Sequence, residues 1–131
     1  MATLEITQEN LTQTVQDNEI LFLDFWADWC GPCKQFSPVF EQAAKNNQDI
    51  VFGKVDTEDQ QELASAAGIS SIPTLMAFRE GILVFSQPGA LNQSQFDQVI
   101  QAVRDLDMDE VRQQVAQAEA AEKTQGSQSA D

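Results

Sequence analysis

The fold of this 131-residue chain is indicated first by residues 20–33, ILFLDFWADWCGPC. Residues 20–27 form the most apolar run in the sequence and predict a strand that is buried on both faces, as in a parallel sheet. A helical pattern then runs from Pro32 to about Lys45, with one apolar stripe along it. A buried strand that leads directly into a helix begins a βαβ unit, so these residues predict an α/β fold.

Strands and helices alternate on both sides of this segment. A strand is predicted at residues 3–6, followed by a helix that Thr7 caps. A second apolar strand at residues 50–55 precedes a short helix at 58–67, and Gly68 suits the position just past the end of that helix.

The pattern then changes to a hairpin. Strands predicted at residues 74–78 and 82–86 flank Glu80-Gly81, and Asn92 caps a last helix. Parallel βαβ units followed by an antiparallel hairpin predict a mixed sheet with helices on both faces.

Charge and composition exclude several classes of function. The chain has 7 basic and 21 acidic residues, a net charge of −14, which opposes binding to nucleic acid and to anionic membranes. It has no histidine and no tyrosine, which removes serine–histidine catalysis, histidine-ligated metals and tyrosine nucleophiles. The first residues lack the basic and apolar regions of a secretory signal, so we expect a cytoplasmic protein.

The composition divides the chain into two parts. Residues 1–106 carry the α/β pattern and are expected to form one domain, whereas residues 107–131 are expected to form an acidic tail that is partly helical or disordered. Within this tail, residues 124–131 are small and polar, and we expect them to be disordered. A thin stripe that favours a helix precedes them: Met108, Val111, Val115 and Ala118.

The two cysteines lie where the buried strand ends and the helix begins. Cys30 lies at the helix N-terminus, where unpaired amides and the helix dipole stabilise a thiolate, and Cys33 lies one turn inside and should be more buried. At this spacing the two side chains share one face and can form a disulfide. The pair predicts dithiol exchange, in which Cys30 attacks a substrate disulfide and Cys33 resolves the mixed disulfide. Trp26 and Trp29 are expected to give the site an apolar rim.

Two other interpretations of the cysteine pair are open. Both thiols are compatible with ordinary core positions. A zinc ion needs four ligands, and two thiols without a histidine would have to be completed by carboxylates or a second chain. The strand–CGPC–helix context favours redox chemistry over both, and no metal site is predicted.

Asp24 interrupts the most apolar run and is the second candidate for catalysis. A carboxyl group in apolar surroundings has a raised pKa, which suits a proton acceptor near neutral pH, here for the thiol of Cys33. Lys54, embedded in the next strand, is its candidate partner. A structural ion pair, or an Asp24 side chain that reaches solvent at the strand end, is the alternative.

The chain resembles the thioredoxin family over residues 1 to about 104, with an acidic C-terminal extension beyond. The resemblance implies the thioredoxin fold, a central five-stranded mixed sheet flanked by four helices. It rests on FWADWCGPCK at residues 25–34, Pro38, Lys54-Val55-Asp56, Ile72-Pro73-Thr74, Gly81 and Gly89-Ala90.

The resemblance also implies a function: a protein-disulfide reductase that maintains redox homeostasis through Cys30 and Cys33. Asp24 would be its buried acid/base, with Lys54 nearby. No cofactor is expected on this chain, because NADPH and flavin belong to a partner, thioredoxin reductase. The other partners would be disulfide-containing client proteins, and a monomer is expected.

The family pattern further implies a client-docking surface beside the cysteines. It implies that Pro73 is cis, although trans is the ordinary form of a bond to proline. The implied docking residues are Trp29, Gly31, Pro32, Ile72, Pro73, Thr74, Gly89 and Ala90.

Two departures from the pattern fall on this surface. Ser70-Ser71 replaces a basic residue and glycine, and Pro88 replaces a small aliphatic residue. Two alternatives therefore stay open: a thioredoxin-like protein with one dedicated client, and a module that acts by binding and not by redox chemistry.

Overall fold

The computed structural model describes the backbone of residues 2–129 and the side chains of residues 2–122. The elements in chain order are β1 (Leu4–Glu5), α1 (Leu11–Asp17), β2 (Ile20–Trp26), α2 (Gly31–Asn46), β3 (Val51–Asp56), α3 (Gln61–Ala66), β4 (Thr74–Arg79), β5 (Ile82–Pro88), α4 (Gln93–Arg104) and α5 (Met108–Ser129).

The five strands form one mixed sheet in the order β1-β3-β2-β4-β5. β3 pairs in parallel with β1 and with β2, whereas β4 runs antiparallel to both β2 and β5. This confirms the predicted α/β fold with an antiparallel hairpin at one edge. The central position of β2 explains its apolar sequence, because both of its faces are covered.

Each face of the sheet carries its own core. α2 and α4 cover one face through a group of stacked and edge-on rings: Phe22, Phe36, Phe40, Phe52 and Phe96. α1 and α3 cover the other face, where Ile6, Leu23 and Val55 are buried. Asp24 alternates with the apolar residues of β2 and shares the α2 face with Phe22.

The structure confirms three local predictions: the helix end at Gly68, the turn at Glu80-Gly81 and the helix cap at Asn92. Gly68 has φ +71° just past α3, and the hairpin turn has Glu80 and Gly81 at φ +51° and +81°. The Asn92 side chain accepts a hydrogen bond from the amide of Gln95 and forms a capping box.

Two predicted helix starts are wrong because side chains redirect the backbone. Asn10, not Thr7, occupies the N-cap position of α1. Its side chain makes no capping hydrogen bond to the helix; it accepts the Thr7 amide and closes a turn ahead of α1. α3 begins later than residue 58 because the Asp56 carboxylate accepts the amide of Glu58 in a preceding turn.

A fifth helix, α5, is added to the four that the family resemblance implies. Met108 is buried at its start, and Arg112 pairs with Glu80 of the hairpin turn at 2.7 Å. The backbone of α5 continues to Ser129, whereas residues 130 and 131 and the side chains from 123 onward lie outside the description. The helical backbone at residues 124–129 differs from the predicted disorder, which stays a prediction for residues 130 and 131. Among the described residues, no helix is long and apolar enough to cross a membrane.

Candidate active site

A disulfide joins Cys30 and Cys33 at the junction of β2 and α2. Cys30 is the N-cap of α2, and its sulfur accepts a hydrogen bond from the Cys33 amide at 3.2 Å. Pro32 occupies the first turn, where its missing N–H leaves no backbone bond unmade. The Cys30 sulfur thus lies where the helix dipole and an amide favour negative charge.

The expected difference in burial between the two cysteines is not found in this oxidised state. Cys30 is 4% exposed and Cys33 is 3% exposed. The bond holds both sulfurs together under the same neighbours, which include Ala27 and Ile72. What distinguishes Cys30 is its place at the end of the helix, not its exposure.

The Ile72–Pro73 bond is cis, as the family resemblance implies, and the Ile72 carbonyl oxygen lies 3.7 Å from the Cys30 sulfur. The Pro73 carbonyl accepts the Gly89 amide at 2.8 Å, which ties the segment after β5 to the site. Thr74 is buried, and its hydroxyl donates to the Ser71 carbonyl at 2.6 Å. This predicted docking residue therefore faces the protein.

The exposed rim of the site is asymmetric. Trp29 is 69% exposed, and its indole N–H donates to Glu58 at 2.6 Å. Beside it lies an open groove of about 300 Å³ whose walls include Ile72 and Ser70-Ser71. Gly31, Pro32, Gly89 and Ala90 are exposed as well.

Trp26 does not join that rim. Its ring lies beneath the Lys54 ammonium, 5.1 Å from the ring centre, and lines a cavity that is partly open to solvent. This cavity of about 200 Å³ also reaches Cys33 and Ser37. Asp28 and Lys34 complete its charged lining.

Asp24 is fully buried, and both of its carboxylate oxygens lack a hydrogen-bond partner among the described residues. Burial raises the pKa of Asp24 to about 7, while the nearby Lys54 charge lowers it and the Glu41 charge raises it further. The predicted rise is therefore found, and the carboxyl does not reach solvent.

Lys54 lies opposite Asp24 in the register of β2 and β3, but its ammonium is bound elsewhere. It donates to the Ser37 hydroxyl at 2.9 Å and lies 4.0 Å from Glu41. A direct ion pair with Asp24 is not formed. The sequence reasoning missed Ser37 and Glu41, although both follow Cys33 at helical spacing.

No group of three or more His, Cys, Asp or Glu side chains in the described part of the chain is placed to hold a metal ion. The described residues place together a disulfide, an exposed rim beside it and a buried carboxyl group. Such a site exchanges disulfides by thiolate attack.

Comparison with known proteins agrees with this chemistry. The sequence profile of the family described as "Thioredoxin" matches residues 2–102. The chain is 62% identical over 119 residues to the Streptomyces coelicolor protein named "Putative thioredoxin 2", covering 91% of this chain and 89% of that protein. It is 36% identical over 105 residues to "Thioredoxin" of Alicyclobacillus acidocaldarius, covering 76% of this chain and all of that protein.

Solved structures give the same result. The chain superposes on a mutant thioredoxin from Halobacterium salinarum with a TM-score of 0.74 and 34% identity, covering 79% of this chain and 92% of that one. The Plasmodium falciparum thioredoxin superposes with a TM-score of 0.70 at 34% identity, covering 75% of this chain and 96% of that one.

Proposed function

The chain belongs to the thioredoxin family, and we infer that it is a protein-disulfide reductase that cycles between the Cys30–Cys33 disulfide and a dithiol. The observation that carries this function is the disulfide itself, at the N-terminus of α2 between the exposed Trp29 and the cis Pro73. Members of the family carry no bound cofactor, and the redox group is the cysteine pair. Their partners are thioredoxin reductase and disulfide-containing proteins.

The first half of the reaction belongs to Cys30. In the reduced protein its thiolate, stabilised at the N-terminus of α2, attacks one sulfur of a client disulfide. A bond forms between the Cys30 sulfur and that client sulfur, the client disulfide breaks, and the released client thiolate takes up a proton from water.

The second half belongs to Cys33 and Asp24. We assign Asp24 as the base that takes the Cys33 thiol proton, because a carboxyl group with a pKa of about 7 holds a proton near neutral pH and releases it again. The Cys33 sulfur then attacks Cys30, and the second client thiolate leaves. The client has gained two electrons, and the chain returns to its disulfide form.

Most of the docking assignments rest on exposure beside the disulfide, although Ile72 is half-buried and Pro73 is buried. Trp29, Gly31, Pro32 and Ile72 border the sulfurs and would contact the client, and Gly89 and Ala90 extend this surface through the bond to Pro73. The buried Thr74 would act by fixing the cis segment and not by touching the client. Ser70-Ser71 lies in the groove wall, where it would influence which clients fit.

Insulin-disulfide reduction tests the function, first with dithiothreitol and then with NADPH and a thioredoxin reductase. Cys33→Ser should accumulate a mixed disulfide with the client, visible on a non-reducing gel, while Cys30→Ser should form none and should not turn over. If Cys30→Ser retained the cellular activity, the protein would act as a binding module and not as a reductase. Turnover with dithiothreitol alone would point to another electron donor.

The remaining assignments concern the whole chain. We propose that residues 1–106 are the catalytic domain, since the family profile ends at residue 102, and that 107–131 form a separable tail. We also propose a monomer in a reducing compartment, the cytoplasm, where a free dithiol persists. A truncation after Leu106 should keep insulin reduction, and size-exclusion chromatography should give one 14.5 kDa species for the full chain.

A further inference from the structure

Three residues of α2 lie one turn apart along the face that covers β3. Cys33, Ser37 and Glu41 are spaced by four residues, so their side chains stack on one side of the helix. Lys54 reaches this face from β3, where the Ser37 hydroxyl accepts its hydrogen bond at 2.9 Å and Glu41 lies at 4.0 Å. The Lys54 head group is therefore attached to the same helix face as the resolving cysteine.

This attachment separates two groups that the sheet brings together. Asp24 and Lys54 are neighbours in register on adjacent strands, yet the Asp24 oxygens have no hydrogen-bond partner among the described residues. A lysine side chain is flexible enough to reach a neighbouring carboxylate when nothing else binds it. The Lys54 side chain is only 20% exposed, so solvent screens its charge only in part.

We propose that Ser37, together with Glu41, is a positioning residue that holds the Lys54 ammonium in the wall of the Cys33 cavity and out of ion-pair contact with Asp24. The inference rests on the proposed role of Asp24 as the base for Cys33. It assigns to Ser37 and Glu41 a part in proton transfer without contact with the client or the sulfurs.

The charges that face Asp24 set the direction of the effect. Lys54 faces it from β3 and Glu41 from α2, while Asp28 and Lys34 line the adjoining cavity. With the ammonium bound to Ser37, the carboxyl keeps the high pKa that burial gives it and remains a strong enough base for a thiol. If the ammonium moved into contact, the carboxylate would be stabilised and would become a weaker base.

Ser37→Ala is the decisive variant, because it removes the hydroxyl without changing any charge. The Asp24 pKa of this variant is measured from the carboxyl carbon resonance in an NMR titration. It should fall from about 7 toward about 6, because an opposite charge in contact lowers a carboxyl pKa by about 1–3 units. Glu41→Gln should shift it in the same direction. Ser37→Thr, which restores a hydroxyl, should stay near the parent value.

Controls and kinetics complete the test. Glu62→Gln removes the same charge from α3, where it does not act on Asp24, and should leave the titration unchanged. The acid limb of the pH profile for insulin reduction should move with the Asp24 pKa in Ser37→Ala. An unchanged or higher Asp24 pKa in folded Ser37→Ala overturns the proposal. If the Asp24 pKa falls in Ser37→Ala but the Asp24→Asn variant keeps full activity, only the assignment of Asp24 as the base is overturned.

Discussion

Replacing Asp24 with asparagine should stabilise the fold, and more so at pH 8 than at pH 5. The pKa of Asp24 rises from an ordinary 3.8 to about 7 because burial disfavours its charged form. Between these two values the folded state binds more protons than the unfolded state. The free energy of unfolding therefore falls as pH rises through this window, and the loss is complete above about pH 7.

The size of the effect follows from the two pKa values. A separation of about three units corresponds to about 4 kcal/mol at pH 8, where Asp24 is mostly ionised in the folded state, and to about 2 kcal/mol at pH 5. Asparagine has nearly the same shape and does not ionise, and the cost of its own unpaired amide is the same at both values. The stability gap between variant and parent should thus be about 2–3 kcal/mol wider at pH 8.

Urea unfolding of the oxidised proteins at pH 5 and pH 8 measures this gap. The lower pH is kept at 5, above the sequence pI of about 4.1, because the protein approaches zero net charge at its pI. Asp97→Asn, at an exposed position on α4, is the matched control and should change stability by the same small amount at both values. A gap for Asp24→Asn that does not change with pH would contradict the buried, ionising carboxyl group described here.

Three further changes test the packing and capping of the fold by urea unfolding. Arg79→Ala should lower the free energy of unfolding by about 2–4 kcal/mol, because the Arg79 guanidinium donates to three carbonyls at the end of α4. Arg79→Lys should lose only part of this stability. Gly53→Ala should cost about 1–3 kcal/mol, because the added Cβ collides with the Ile6 side chain, and the same change should cost less when it is made in an Ile6→Ala background. Asn92→Ala should cost about 1 kcal/mol by removing the capping box, against a near-neutral Ser94→Ala.

Much of the fold was predictable from local patterns in the sequence. The apolar run of β2 and the cysteine pair at the start of α2 depend on residues within one or two turns of each other. The same holds for the Asn92 capping box and for the Glu80-Gly81 turn. Burial of Asp24, and hence its raised pKa, followed from its place within an apolar strand.

The features that sequence reasoning missed depend on competition or on distant contacts. α1 begins after Asn10 and not after Thr7, because the Asn10 side chain accepts the Thr7 amide and closes a turn before the helix. The Lys54–Ser37 bond requires the register of β3 against α2, which no local pattern contains. The cis form of Pro73 was indicated by the family resemblance alone, since the site around it is assembled from Cys30 and from the segment after β5.

The buried carboxyl group links the stability of this fold to its chemistry. The same removal of Asp24 from water that weakens the fold at neutral pH gives the proposed base a pKa close to 7. A variant that relieves the cost must therefore also lose the base, so Asp24→Asn should be both more stable at pH 8 and slower in resolving the mixed disulfide. Ser37→Ala should move both properties in the same directions but by less, because a fall of about one unit in the Asp24 pKa reduces the cost at pH 8 by about 1.4 kcal/mol and leaves a weaker base.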